Sequence, residues 1–217
     1  MKSGNFAWLL LALIVFLLGV PIAEDFDVGG KIYARAFAFS TLLGIGVLSL
    51  QGGGKLFKLA MVFVIAGIIL NVVATRTSSA WLIVISLWSM MGFLLTAIVF
   101  TFKKIAMDTR ISANRIVGAI SIYLLLGVLW AVAYTLVEIN SPGSITGFDV
   151  SAGAQWNSDW LYFSFVTMTT LGYGDIAPIS AIARVLAYMQ ALFGQFYIAI
   201  LVAGLVSAYI TQKNSER

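Results

Sequence analysis

The sequence predicts an all-α membrane protein: six transmembrane helices, with a short re-entrant helix and a loop set before the last of them. Three observations carry this. Hydrophobic residues make up 61 % of the 217-residue chain and charged residues only 10 %, at a mean hydropathy of +1.00, so lipid rather than water is the solvent. Six stretches approach the roughly 20 apolar residues that span a bilayer. The basic residues also divide unequally between the two sides that such a topology creates.

The first stretch, Phe6 to Ala23, reads as a span. Lys2 before it and a cleavage position at Ala23 would also suit a signal peptide, against which Pro21 stands where a small residue is wanted. Pro21 through Gly30 then form an outer connector to Ile32–Leu50, and the turn Gln51-Gly52-Gly53-Gly54 leads into Leu59–Ala74. That glycine run is no phosphate loop, because Leu56 follows Lys55 where Ser or Thr would hold magnesium. Thr75 through Ser79 connect to Ala80–Phe102, and Lys103 through Asn114 link that stretch to Arg115–Glu138 along the inner surface. The last span is Ala181–Ile210. Three regions follow: 1–102 with four spans, the linker 103–114, and 115–217.

With both termini inside, Lys2, Lys55, Lys58, Lys103, Lys104, Arg110, Arg115, Lys213 and Arg217 lie on the inner face, and Lys31, Arg35, Arg76 and Arg184 on the outer. Nine against four obeys the positive-inside rule. Acids show the reverse bias: Glu24, Asp25, Asp27, Glu138, Asp149, Asp159 and Asp175 fall outside, which raises the cation concentration there. The net charge of +4 follows topology and gives no reason to expect nucleic-acid binding. Histidine and cysteine are absent altogether, so imidazole catalysis, disulfides and thiolate metal sites are excluded. No nucleophile and base pair or cofactor fingerprint remains, and an enzyme is not expected.

The run Thr167-Met168-Thr169-Thr170-Leu171-Gly172-Tyr173-Gly174-Asp175 has its own logic. A dehydrated cation needs stacked oxygen cages, yet alternate carbonyls of an ordinary strand point to opposite sides. Gly172 and Gly174 reach positive φ without a Cβ clash, so the backbone can alternate conformation and turn the carbonyls of Thr170, Leu171, Gly172 and Tyr173 to one axis. The run resembles the signature of potassium channels, whose usual filter is Thr-Val-Gly-Tyr-Gly; Leu171 stands where valine or isoleucine is commoner. The resemblance implies a potassium-selective channel of the voltage-gated-like superfamily, of the six-transmembrane bacterial kind. Potassium would be the permeant ion, with no cofactor. Four copies of the loop are needed to close the cages, so a homotetramer is implied, in the bacterial inner membrane. A weakly selective cation channel, with Leu171 as its support, and a non-conducting scaffold subunit are the alternatives.

Further matches lie in the region from Arg115 onward. Ser158 is the expected N-cap of a helix over Asp159–Thr169, too short to cross and therefore re-entrant, its negative dipole end aimed at the bilayer centre. Tyr162 and Phe163 occupy the place of an aromatic pair packed against the filter, with Tyr162 in reach of Asp175. Val166 stands where some bacterial channels carry a glutamate. Pro178, Arg184 and Gly194 lie at the family's distances after the filter. Gly194 reads equally as a hinge or as a site of close helix packing. Gln195 is expected to line the water-filled cavity, followed along one face by Ile198, Val202, Val206 and Ile210, whose rings would close the inner mouth by dewetting. A rotated face, with Gln195 bonded to the fifth helix, is the other register.

The first four spans occupy the place of a voltage sensor. Between Ala80 and Phe102, where the family carries regularly spaced arginines, no charge occurs, which predicts a largely voltage-insensitive channel. Lys103, Lys104, Arg110 and Arg115 would attract anionic lipid headgroups, or serve topology alone. The few residues after Ile210 leave no expected regulatory domain.

Overall fold

A computed structural model describes residues 6–25, 55–77, 79–107, 113–148 and 156–215. Its helices are α1 (Phe6–Asp25), α2 (Lys55–Thr77), α3 (Ala80–Met107), α4 (Ala113–Asn140), α5 (Ser158–Met168) and α6 (Ala181–Ser215). Two short strands, β1 (Ile145–Thr146) and β2 (Ala177–Pro178), flank α5 in the chain. All the helices except α5 are long and apolar enough to cross a membrane, which makes five candidate spans among the described residues. The expected stretch Ile32–Leu50 lies outside the described residues.

The apolar character of these helices runs all the way round, as lipid solvent demands. In α1, Phe6, Leu9, Leu13, Phe16 and Val20 form a buried stripe, while Trp8, Leu11, Val15, Leu18 and Ile22 on the other side are exposed. The buried stripe lies along α4 and reaches α5: the Phe6 amide donates to Asn114 Oδ1 (2.8 Å), and Phe16 stacks on Trp156 (5.8 Å). Pro21 sits inside α1 near its end, where one more turn completes the helix.

Helices α2 and α3 form a hairpin, in which Ser89 Oγ donates across to the Phe63 carbonyl (2.8 Å). Helices α3 and α4 form a second. Ile105 lies against Gly118 near the connector, and Trp88 and Met91 meet Ala133, Leu136 and Val137 at the far end, so the two run antiparallel. Their shared core is Met90, Phe93, Leu94 and Ala97 against Leu125, Val128, Ala131 and Val132.

Both ends of the expected inner linker 103–114 are helical, since α3 continues through Lys103 and Lys104 to Met107 and α4 begins at Ala113; residues 108–112 lie outside the described residues. Helices α2, α4 and α6 likewise outrun their apolar stretches, since backbone hydrogen bonding continues past the hydrocarbon boundary. Helix α6 is started by Ser180, whose Oγ accepts from the Ala183 amide (3.2 Å).

An all-α expectation left no place for the β1–β2 pair, antiparallel with Ile145 opposite Pro178 and Thr146 opposite Ala177. It ties the loop after α4 to the segment after the filter run. Glu138 organises that loop, its carboxylate accepting from the Gly143 amide (2.6 Å) and the Ile145 amide (3.0 Å). Gly147, at φ +94°, lies so close to Asp175 that a Cβ would run into the Asp175 carbonyl oxygen.

Candidate functional site

Helix α5 decides where the loop Thr169–Asp175 sits. Eleven residues at about 1.5 Å rise give roughly 16 Å, half the hydrocarbon thickness, so α5 is too short to cross a bilayer. Its last residue, Met168, lies against Gly194, which is well inside α6. The capping expectation is corrected. Asn157 is the N-cap and makes no side-chain cap bond, while Ser158 is the first helical residue. The Ser158 amide instead donates to Glu24 Oε2 (2.9 Å), so a carboxylate from α1 stabilises the positive end of α5. At the other end Thr169 is the C-cap rather than the last helical residue, its amide donating to the Phe165 carbonyl (3.0 Å).

The loop then alternates. Thr170 (φ 59°), Gly172 (φ 58°) and Gly174 (φ 82°) are left-handed, and Leu171 and Tyr173 are not. Gly172 and Gly174 adopt the conformation the sequence asks of them. Thr170 is the one non-glycine residue at positive φ among the described residues, and no feature of its side chain announces it. The amides of Leu171 (2.9 Å) and Gly172 (3.3 Å) both donate to the Val166 carbonyl. No peptide here is cis, and a trans peptide holds its carbonyl opposite its N–H, so the Thr170 and Leu171 carbonyls both point away from α5. Successive carbonyls on one side, amides on the other, is what alternating handedness produces.

The outer end of the loop is braced from α5. Tyr162 Oη donates to Asp175 Oδ2 (2.6 Å), the contact the sequence suggested, and its ring stacks on Tyr173 (6.5 Å, 8° between planes). The bond from Tyr162 holds the Asp175 carboxyl below its ordinary range. Phe163 departs from expectation. It is buried on a different face of α5, edge-on to Tyr134 of α4 (4.7 Å), because residues adjacent in a helix face different ways. Val166 supports the loop through its carbonyl, not its side chain.

On α6 the structure favours the packing reading of Gly194: a Cβ there would run into the Met168 carbonyl oxygen. Gln195 and Ile198 are exposed in the single chain. Tyr197, not Gln195, reaches α4, its hydroxyl donating to the Ala119 carbonyl (2.6 Å). Val202, Val206 and Ile210 belong to α6, but their side chains lie outside the described residues. Arg184 Nε donates to the Pro178 carbonyl (3.3 Å).

A buried polar chain escaped sequence reasoning. Tyr134 Oη donates to Gln190 Oε1 (2.7 Å), Gln190 Nε2 to Ser164 Oγ (2.7 Å) and to the Ser164 carbonyl (3.0 Å), and Ser164 Oγ to the Gly127 carbonyl (2.6 Å). The signal was a glutamine inside an apolar span; the sequence reading weighed Gln195 and passed over Gln190.

Residues 122–211 match the family described as Ion channel. The chain is 42 % identical over 57 residues to Two-pore potassium channel 5 of Arabidopsis thaliana, covering 26 % of this chain and 14 % of that one. It is 34 % identical over 95 residues to an inward rectifier potassium channel of Paramagnetospirillum magnetotacticum (42 % and 28 % of the two lengths). A Shaker-related potassium channel of Oncorhynchus mykiss is 33 % identical over 101 residues (46 % and 19 %). The chain thus spans less than a third of the length of each of these relatives. No solved structure gives a significant match. All these matches are to ion channels, so the chain is similar to transport proteins rather than enzymes.

Proposed function

We propose that the protein is a potassium-selective channel in which four copies of the loop 170–174 surround one axis and replace the ion's hydration shell with backbone oxygens. The observation that carries this reading is the pair of consecutive amides, Leu171 and Gly172, on the single Val166 carbonyl, which sends the Thr170 and Leu171 carbonyls to the open side. One loop cannot encircle an ion. Leu171 and Tyr173 remain 55 % and 67 % exposed in the single chain, as a segment awaiting three symmetry copies would be. The potassium channels named above support the choice of ion.

Six crossings fit the directions of the helices. Helices α1 and α4 run the same way, since Phe6 meets Asn114 and Glu24 meets Ser158 beyond the far end of α4. Two hairpins make α2 parallel to α4 and therefore to α1. The expected stretch Ile32–Leu50, outside the described residues, would supply the crossing between them. Opening would depend little on voltage, given the uncharged Ala80–Phe102 stretch. Both termini would be cytoplasmic in a cell membrane. Lys103, Lys104 and Arg115 would meet anionic headgroups there, each contributing about 1 kcal/mol.

The test is flux through the purified chain in liposomes under opposed potassium and sodium gradients. The reversal potential should follow potassium; a value near zero with potassium on one side and sodium on the other would sink the proposal.

A further inference from the structure

We infer that Gln190 is a positioning residue for ion selectivity, holding α5 at the height and rotation that place the Val166 carbonyl beneath the filter amides. The inference rests on the reading of 170–174 as an ion filter. Ser164 lies half a turn before Val166, and a serine within a helix ordinarily bonds back to its own helix. Ser164 donates instead to Gly127 of α4 and accepts from Gln190 of α6, so the middle of α5 is bonded to both flanking helices at once. Gln190 Nε2 also takes the Ser164 carbonyl, and its Oε1 takes the Tyr134 hydroxyl.

Tyr134, Ser164 and Gln190 are each 0 % exposed, so no water competes for these groups. Apolar contacts alone would let a three-turn helix rotate or slide at small cost, because lipid and core are equally apolar. Two further contacts limit what motion remains. A Cβ at Gly127 would strike the Phe165 ring, and Met168 abuts Gly194, so α5 is seated closely on both neighbours. A slip at Ser164 is therefore passed to Val166 and from there to the Leu171 and Gly172 amides. Cage dimensions depend on those amides.

The experiment uses the full chain reconstituted in planar bilayers. Tyr134→Phe and Gln190→Leu are compared with Thr96→Val, which removes a buried hydroxyl that bonds only to Gly92 of its own helix. Gln190→Leu should raise the sodium-to-potassium permeability ratio on the order of tenfold, as one buried partner is left unmade. Tyr134→Phe should raise it less, the double variant no further than Gln190→Leu, and Thr96→Val not at all. Should Gln190→Leu fail to assemble, Tyr134→Phe, which keeps the ring and its packing, decides alone. Assembled variants with the wild-type ratio, or effects that add in the double variant, overturn the inference. An unselective wild-type chain overturns the filter reading itself, and is distinguished because it requires no variant.

Discussion

The region from α4 to α6 and the α2–α3 hairpin are both apolar, both buried in part, and held together in different ways. From α4 onward, hydrogen bonds cross between elements: Tyr134 to Gln190, Gln190 to Ser164, Ser164 to Gly127, Tyr197 to Ala119, Tyr162 to Asp175. In α3, by contrast, Ser86 and Thr96 bond back to carbonyls of their own helix, and Ser89 alone of these reaches α2. Association in lipid gains little from burying apolar surface, so directional bonds decide how finely a geometry is fixed. The proposed ion pathway would ask for geometry; the hairpin asks only for a packed seam. That difference predicts where substitution will be felt.

The largest effect should come from Gly194→Ala. The obstacle to a methyl group there is the Met168 backbone, which cannot turn aside as a side chain does, and shifting it displaces the start of the filter loop. Overpacking of this kind costs about 1–3 kcal/mol, and here potassium flux should fall at least about tenfold. Gly92→Ala in α3 meets only the far end of the Phe63 ring and should leave flux near wild type. Gly19→Ala in α1 has nothing within 4 Å and should be neutral or stabilising by up to about 1 kcal/mol. Liposome flux and thermal stability of the three variants, measured side by side, check the order. Equal losses at positions 92 and 194 would erase the contrast between the two regions.

How much of this was legible beforehand follows the same division. Apolar length revealed the five candidate spans among the described residues, because crossing a bilayer is a constraint on composition. The alternating loop was legible because Gly172 and Gly174 are needed at positive φ, and the bond of Tyr162 to Asp175 followed from the resemblance. Thr170 at φ 59° was not, since a threonine is held there by its neighbours and not by its own preference. Glu24 capping α5 was illegible for another reason: the contact joins residues 134 positions apart, and no local pattern encodes it. Phe163 was misplaced by treating adjacent aromatics as a pair although a helix turns them about 100° apart. Gln190 and Gln195 looked alike in sequence, and only the packing of α4 and α5 around position 190 separates them.

A smaller effect tests the outer mouth. The bond from Tyr162 lowers the Asp175 pKa, so its stabilisation is complete above the ordinary carboxylate range and is lost as pH falls through the lowered value. Current should therefore hold under external acidification until below about pH 4. Tyr162→Phe removes the largest cause of the shift, and the acid-induced fall should move to higher pH. The parallel stacking on Tyr173 survives in that variant, so selectivity near neutral pH should change little. An unchanged acid response would mean that Asp175 does not act at the mouth.

The smallest effect concerns voltage, where span counting alone would suggest a steep response. One elementary charge carried across the whole field yields about 2.3 kcal/mol per 100 mV, and steep opening requires several per subunit. Helix α3 carries none between Ala80 and Phe102; in the proposed topology Lys103 and Lys104 follow only where it would emerge on the inner side. Arg184, in the first turn of α6, is engaged with the Pro178 carbonyl, which the same topology would put at the opposite boundary, where the field is nearly spent. A rearrangement of the hairpin would then move only a small fraction of a charge. Residual dependence arising from ions in the filter should change with the permeant-ion concentration, whereas a charge fixed in the protein would not. Open probability in symmetric potassium is therefore expected to vary shallowly across a wide voltage range. A steep sigmoid that persists when the permeant ion is varied would show that the hairpin moves charge through the field.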